Sequence, residues 1–487
     1  MLNIIRFNFG LFLLALGTYS CQSIPAREQE VNGKEATFKL EPGWDIYDGG
    51  GYRYGPSIII DKDGTIHAWF ASPGGIHGVD HLQYQEFVKE SPIPVRDQTR
   101  VAQKFTNESD FYAIAAICPN WNSKNSSLTL SLYQWNTDYE KTIQGPVISS
   151  QRFENYADNS ILKLTNEQKF KAGTYLWVIH EGVGSAGVWA LAGETNQVSS
   201  YLDGKIQTHN YKSFVMNDVS NAAVYWDQVA YKKSTDQGKT WSDEKMVLKP
   251  TEGTRDEFSI CDPGVVKHGK YYYLGYTSTE DIRMIFNHVY VARSLSPEGP
   301  WEKWDGKGWG NAPQPVVTFD GNKDAWGAGE PSMVIKNDSL YFYYTWRDKS
   351  KHEVRVAVAD AKDENWPRNL QQKGIALDQN NIDKGDHADV KYRPDLNKFY
   401  MLHTASRLSP ESHLLLWESN DGYHFKQVSK ISELAEQYLH NCGWSADEMG
   451  HIDPNKQQFL AYGYGKDWGN WKTKWHPISF DSEKLNK

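Results

Sequence analysis

The stretch Gly329-Glu330-Pro331-Ser332-Met333-Val334-Ile335, followed after a Lys-Asn-Asp turn by Tyr341-Phe-Tyr-Tyr344, decides the fold of this 487-residue chain. Asn337-Asp338 is a tight-turn signal between an apolar strand and a second strand rich in Tyr and Phe. The stretch therefore reads as an antiparallel strand pair. The pattern recurs as Gly55-Pro-Ser-Ile-Ile-Ile-Asp61 with His67-Ala-Trp-Phe70, and as Asp262-Pro-Gly-Val-Val266 with Tyr271-Tyr-Tyr-Leu-Gly-Tyr276. Ala388-Asp-Val-Lys-Tyr392 with Phe399-Tyr-Met-Leu402, and Asp447-Glu-Met-Gly-His451 with Phe459-Leu-Ala-Tyr462, complete the set. Five such pairs predict an all-β chain built as a five-bladed β-propeller.

The spacing supports this and locates an interruption. Positions 262, 330, 389 and 447 lie 68, 59 and 58 residues apart, each close to one four-stranded blade, whereas 56 and 262 lie 206 apart. The surplus holds the alternating runs Phe111–Cys118, Ser127–Tyr133 and Tyr175–His180. It reads as an inserted, jelly-roll-like β-sandwich, which a loop tolerates when its ends lie close together. The expected division is a signal peptide over 1–20, a linker over 21–40, the propeller over 41–79 and 223–487, and the sandwich over 80–222. The sandwich reads equally as a carbohydrate-binding module or as a structural insert.

Composition narrows the class. A net charge of -9, from 52 basic and 61 acidic residues, leaves no basic footprint for nucleic acid. The 19 Trp and 28 Tyr exclude a disordered chain and suit either sugar stacking or the cores of β-sheets. Arg6, the apolar run from Phe7 to Leu16, and Gly17-Thr-Tyr-Ser-Cys21 describe an export signal. This segment resembles a bacterial lipoprotein signal, with Thr18 where Leu is usual. The resemblance implies lipidation at Cys21 and membrane contact only through that anchor, at an outer membrane or cell surface or in the periplasm. Cys118, Cys261 and Cys442 lack disulfide or zinc spacing and read as buried thiols.

In a propeller the starts of the inner strands converge on one mouth, which gathers Gly55, Asp262, Glu330, Asp389 and Asp447. Acids sharing a mouth displace one another's proton affinities, which suits acid/base chemistry. Ser234-Thr-Asp-Gln-Gly-Lys-Thr-Trp241 matches the Asp-box turn of sialidase-type propellers, with a partial copy at Ser419–Phe425. That motif indicates fold, not activity.

From these residues the chain resembles the five-bladed glycoside hydrolases of the family 43 arabinanase and xylosidase group. The resemblance covers roughly 40–80 and 223–480, and Ser294–Trp301 also matches a turn common there. It implies Glu330 as general acid and Asp262 as the residue that tunes it. The chain departs from the group at Gly55, where the general base is expected, so Asp389, Asp447 or Asp48 becomes the substitute base. The resemblance implies hydrolysis of a plant or algal cell-wall oligosaccharide at a chain end. Two alternatives stay open: elimination to an unsaturated uronic acid, and glycan binding without catalysis. Elimination would use His387, His403, Tyr54 or Tyr392 for proton transfer, with Arg53, Arg347, Arg393 or Arg407 on the carboxylate. Trp326, Trp44 and Trp444 are candidate sugar platforms. No metal or other cofactor is expected for the chemistry, although a His at the propeller centre, such as His387, can hold water or a structural Ca²⁺.

Overall fold

Short runs of Val, Ile, Tyr, Phe and Trp punctuated by Gly, Asn and Asp turns make the chain all-β, and the computed structural model shows how those strands are joined. It describes residues 38–47, 52–77, 81–82, 90–192, 198–216, 223–281, 283–466 and 471–480, all within the compact unit 34–487. The export segment, Cys21 and Asp48 lie outside the described residues. Among the described residues no helix is long and apolar enough to cross a membrane, and Cys118, Cys261 and Cys442 are buried and unpaired.

Five antiparallel units of strands follow one another outside the insert. Unit one comprises Tyr54–Ile60, Ile66–His77, Ala223–Ser234 and Lys245–Leu248. Unit two runs from Cys261–His268 through Tyr271–Thr279 and Asn287–Ser294 to Glu302–Lys303. Unit three holds Gly327–Lys336, Ser339–Arg347, His352–Asp360 and Gln371–Asp378. Unit four holds Ala388–Arg393, Lys398–Ala405, His413–Ser419 and Lys426–Ile431. In unit five, Leu439–Ala446, Gln458–Tyr464 and Lys472–Phe480 are completed by the N-terminal Phe38–Leu40 and Trp44–Tyr47, which pair with the last strand.

The first strands of the units pack each against the next, and the fifth against the first, closing a ring. Apolar clusters fill the spaces between consecutive units. Ile59, Trp69 and Tyr231 meet Val265, Leu274 and Tyr290 between units one and two, while Phe459 and Trp475 meet Ile58 and Phe70 between units five and one. Each such large side chain contributes about 1.5–3 kcal/mol on burial. The aromatic abundance is thus largely structural: Trp444 is 2% exposed, and Trp44 donates its Nε1–H to Gly238 O at 2.8 Å. Both Asp-box stretches are tight turns. Asp236 accepts from Thr240 N and Thr240 Oγ1, and Asp421 accepts from Tyr423 N and His424 N.

Between the second and third strands of unit one, other sheets form. A six-stranded sheet with Ser127–Gln134, Gly173–Val183 and Val101–Asn107 at its middle shares a core with strands Phe111–Cys118, Ser160–Phe170 and Gly187–Ala192. Leu128, Leu130, Leu132, Phe105 and Trp177 face Phe111, Ile114, Leu162 and Val188 across it.

The inner strands of units one, two and three share one local device. Register shifts interrupt the first hairpin between Tyr54 and Ser57, Cys261 and Gly264, and Gly329 and Ser332. Proline cannot donate to the ladder, and the residue before it takes a left-handed conformation: φ is +59° at Gly55, 51° at Asp262 and 54° at Glu330. Such a bulge re-aims a side chain. Behind it, Ser57 Oγ accepts from Val265 N and Ser332 Oγ accepts from Val390 N, tying each unit to the next.

Candidate active site

The bulges deliver Asp262 and Glu330 to the start of the ring's inner strands, where a third carboxylate, Asp386, joins them. Asp262, Glu330 and Asp386 are 4%, 6% and 4% exposed. Asp386 precedes the first strand of unit four, fixed by its N–H to Thr404 O at 3.0 Å.

Their surroundings separate the three carboxyls. Burial opposes ionisation of Asp386, but the Arg407 guanidinium and His440 override it and hold its carboxyl well below the usual range. Arg407 Nε lies 2.9 Å from Asp386 Oδ2, and His440 Nδ1 lies 3.2 Å from the same oxygen. Arg407 Nη2 donates to His440 Nε2 at 3.0 Å, so Nδ1 carries the imidazole proton and donates to Asp386. Burial, with the Arg407 charge next, lowers His440 to about 4. Glu330 goes the other way. Burial first, then the negative charges of Asp386 and Asp262, push it well above the ordinary carboxylate range, and its carboxyl shares a hydrogen bond with Asp386. Opposed environments of this kind assign the proton, here to Glu330.

Asp262 lies between these extremes. Burial raises it to about 7, opposed by hydrogen bonds from Thr277 and Cys261. Its Oδ1 accepts from Asn441 Nδ2 at 2.9 Å. A Cβ on Gly55 would stand 3.4 Å from Asp262 Cα, 3.6 Å from Asp262 Oδ1 and 3.8 Å from Asn441 Nδ2. A side chain at position 55 would therefore enter this same space. Farther along the wall, burial raises Asp227 to about 6 while Tyr52 Oη and Ser259 Oγ donate to it at 2.6 and 2.8 Å.

Other sequence candidates divide into three groups. Trp326 and Arg347 sit at the rim: the Trp326 ring covers Gly329, with Cη2 2.7 Å from where a Cβ would be, and exposed Arg347 pairs in register with Gly327. Arg347 makes no hydrogen bond or ion pair with the described residues. Tyr54 belongs to the wall rather than to a substrate-binding surface, its ring stacked 4.6 Å from His440 and its hydroxyl directed at Asp227. His387 is 2% exposed behind Asp386, and burial lowers its proton affinity.

The remaining candidates are elsewhere. Asp389 is engaged by Lys391 Nζ, Ser332 Oγ (2.8 Å) and Trp444 N (2.9 Å), bridging units three, four and five as a structural ion pair. Arg393 is at the far end of its strand, bonded to Asp395 and covered by Phe480. Asp447 closes a turn with Met449 N and His451 N at that same far end. Arg53 pairs with Glu244 over the Tyr47 ring, His403 is bonded to Gln379 at 2.7 Å, and Tyr392 donates to Asn397.

Among the described residues no group of three or more His, Cys, Asp or Glu is placed to hold a metal ion. The nitrogen donors of His387 do not fit Ca²⁺, which takes six to eight oxygens. Sequence reading missed Asp386 as a principal acid, and with it His440, Asn441 and Asp227. No proline marks the first strand of unit four, and the sequence pattern there points to Asp389, three residues after Asp386.

No family model matches the chain, and no curated protein matches it. Solved structures similar to it include glycoside hydrolases. Zg3597, a family 117 glycoside hydrolase of Zobellia galactanivorans, is 14% identical, with a TM-score of 0.47 over 92% of this chain and 91% of that one. The α-L-arabinofuranosidase PaAbf62A of Podospora anserina is 13% identical, with a TM-score of 0.38 over 52% and 83%. An endo-arabinase of Bacteroides thetaiotaomicron is 15% identical, with a TM-score of 0.39 over 52% and 87%. At this distance the reaction has to be argued from the side chains.

Proposed function

We propose that the protein is a five-bladed β-propeller with an inserted β-sandwich that hydrolyses a glycosidic bond of a plant or algal cell-wall oligosaccharide. The observation that carries this reading is the gathering of three buried carboxyls, Glu330, Asp262 and Asp386, of which Asp386 alone is paired with Arg407 and His440, so that the surroundings favour the proton on Glu330 and the charge on Asp386. Glycoside hydrolysis needs one such acid and one such base. Glu330 gives its proton to the leaving oxygen as the bond from the anomeric carbon breaks. Asp262, facing the space beside Gly55, takes a proton from the water that attacks that carbon. Asp386 holds the proton on Glu330 until transfer. A base near pH 7 is well matched to this work. Burial of all three carboxyls suits a chain end better than the middle of a polymer, with Trp326 just before the strand that carries Glu330 and exposed Arg347 on the strand paired with it.

Elimination has less support, because Arg53 and Arg393 are engaged away from the site and His403 is bonded to Gln379. The sequence further supports export and a lipid anchor at Cys21. The test is to incubate the protein with neutral and uronic-acid oligosaccharides and follow product mass and ultraviolet absorbance. Hydrolysis adds one water per cleavage and produces no absorbing double bond. Cleavage without water, or no cleavage alongside retained binding, would sink the reading.

A further inference from the structure

Of the tryptophans among the described residues, Trp121 alone is exposed, at 45%. It lies on the insert, in the loop between strands Phe111–Cys118 and Ser127–Gln134. The loop is built to hold it. Asp158 Oδ1 accepts the backbone N–H groups of Asn120 (2.6 Å) and Trp121 (2.8 Å). Asn120 Nδ2 donates to Ser123 O, Ser126 Oγ and Tyr156 O at 3.0, 2.9 and 2.5 Å. Trp121 and Asn122 are both left-handed, at φ 52° and 58°, a conformation that persists only where the surroundings impose it.

The indole has a fixed seat as well. Its six-membered ring lies against Gly187, where a Cβ would meet Cη2 at 2.8 Å and Cζ3 at 3.2 Å. Two residues along the same strand, and so on the same side of the sheet about 7 Å away, Trp189 is half-buried and donates its Nε1–H to Asn159 Oδ1 at 2.8 Å. Around the exposed ring the loop carries Asn122, Ser123, Lys124 and Asn125, with Asn122, Lys124 and Asn125 exposed.

We propose that Trp121 is the platform of a second glycan-binding site, on the insert and separate from Glu330. An indole face covers the C–H face of a pyranose, while neighbouring amides, a hydroxyl and an ammonium bond the sugar hydroxyls. One rigid aromatic ringed by polar side chains suits a sugar better than it suits an apolar protein surface. The site rests on the reading of the protein as carbohydrate-active, but its test does not require turnover. Its role is to hold the protein on a polymer while chain ends reach the buried carboxyls.

The experiment is affinity electrophoresis of the full chain through gels containing arabinan, xylan or pectin, run on wild type, Trp121→Ala, Trp121→Tyr and Glu330→Gln. At least one polymer should retard wild type and Glu330→Gln equally. Trp121→Ala should bind about tenfold more weakly and Trp121→Tyr should retain most of the affinity, with all variants cleaving small oligosaccharides as before except Glu330→Gln. Unchanged retardation of Trp121→Ala would overturn the proposal. So would absence of retardation in every gel by a wild type that cleaves oligosaccharides, or self-association in sedimentation that only Trp121→Ala abolishes. Polymer binding that depends on Trp121 in a protein without hydrolytic activity would instead keep this site and remove the catalytic reading.

Discussion

Arg407 Nε stands 2.9 Å from Asp386 Oδ2, and this ion pair is what keeps the negative charge beside Glu330. In Arg407→Met, Asp386 should take up a proton more readily, and Glu330 should lose the charge that holds its own. We expect kcat/KM to fall about 10²-fold, within the range of general acid–base catalysis, and the alkaline limb of its pH profile to move to lower pH. A uniform loss with an unchanged profile would argue for a purely structural pair.

Wild-type kcat/KM should rise as Asp262 ionises near pH 7 and fall at higher pH as Glu330 loses its proton. Because these groups interact, the two limbs report the cluster rather than single residues. Steady-state rates across a pH series check this. A profile that falls continuously above about pH 5 would contradict it.

Asp262→Asn should abolish most activity yet stabilise the fold. The folded pKa of Asp262 is raised to about 7, so the folded state binds the extra proton between the unfolded value near 4 and about pH 7. Stability is therefore lost as pH rises through that window. Asparagine keeps the acceptor for Asn441 and removes the buried charge, a gain on the order of 2–4 kcal/mol near pH 8 that should vanish near pH 4. Thermal melts at the two pH values read it directly.

Asp389→Ala should do the reverse, because it strands the buried Lys391 ammonium. Loss of one partner of a buried pair costs about 3–5 kcal/mol. Melting should fall sharply while the folded fraction keeps its pH profile. A shifted profile would return Asp389 to the catalytic group.

Gly55→Asp should not supply a better base. At φ +59° any side chain carries a penalty of about 1–2 kcal/mol, and the new carboxylate would crowd Asp262 Oδ1. The acidic limb should move upward in pH and stability should drop. Faster hydrolysis would show that the space beside Gly55 is an unfilled base position.

The repeat was readable because proline and tight turns punctuate it: Gly55-Pro56, Asp262-Pro263 and Glu330-Pro331 each mark a bulge whose geometry aims the preceding side chain. Asp262 and Glu330 were legible for that reason. Asp386 was not, since no proline marks it and its role depends on Arg407 and His440, which lie 21 and 54 residues farther along the chain. Asp389 and Arg393 look catalytic in sequence because buried charged residues look alike whether they bridge strands or face substrate. Only the hydrogen-bond partners separate the two cases.

The protonation of Glu330 can be observed directly. Infrared difference spectra of wild type and Glu330→Gln at about pH 8 should show a carboxylic-acid C=O stretch that disappears with the substitution. If wild type shows no such band, or if Glu330→Gln retains it, Glu330 does not hold the proton and the acid assignment fails.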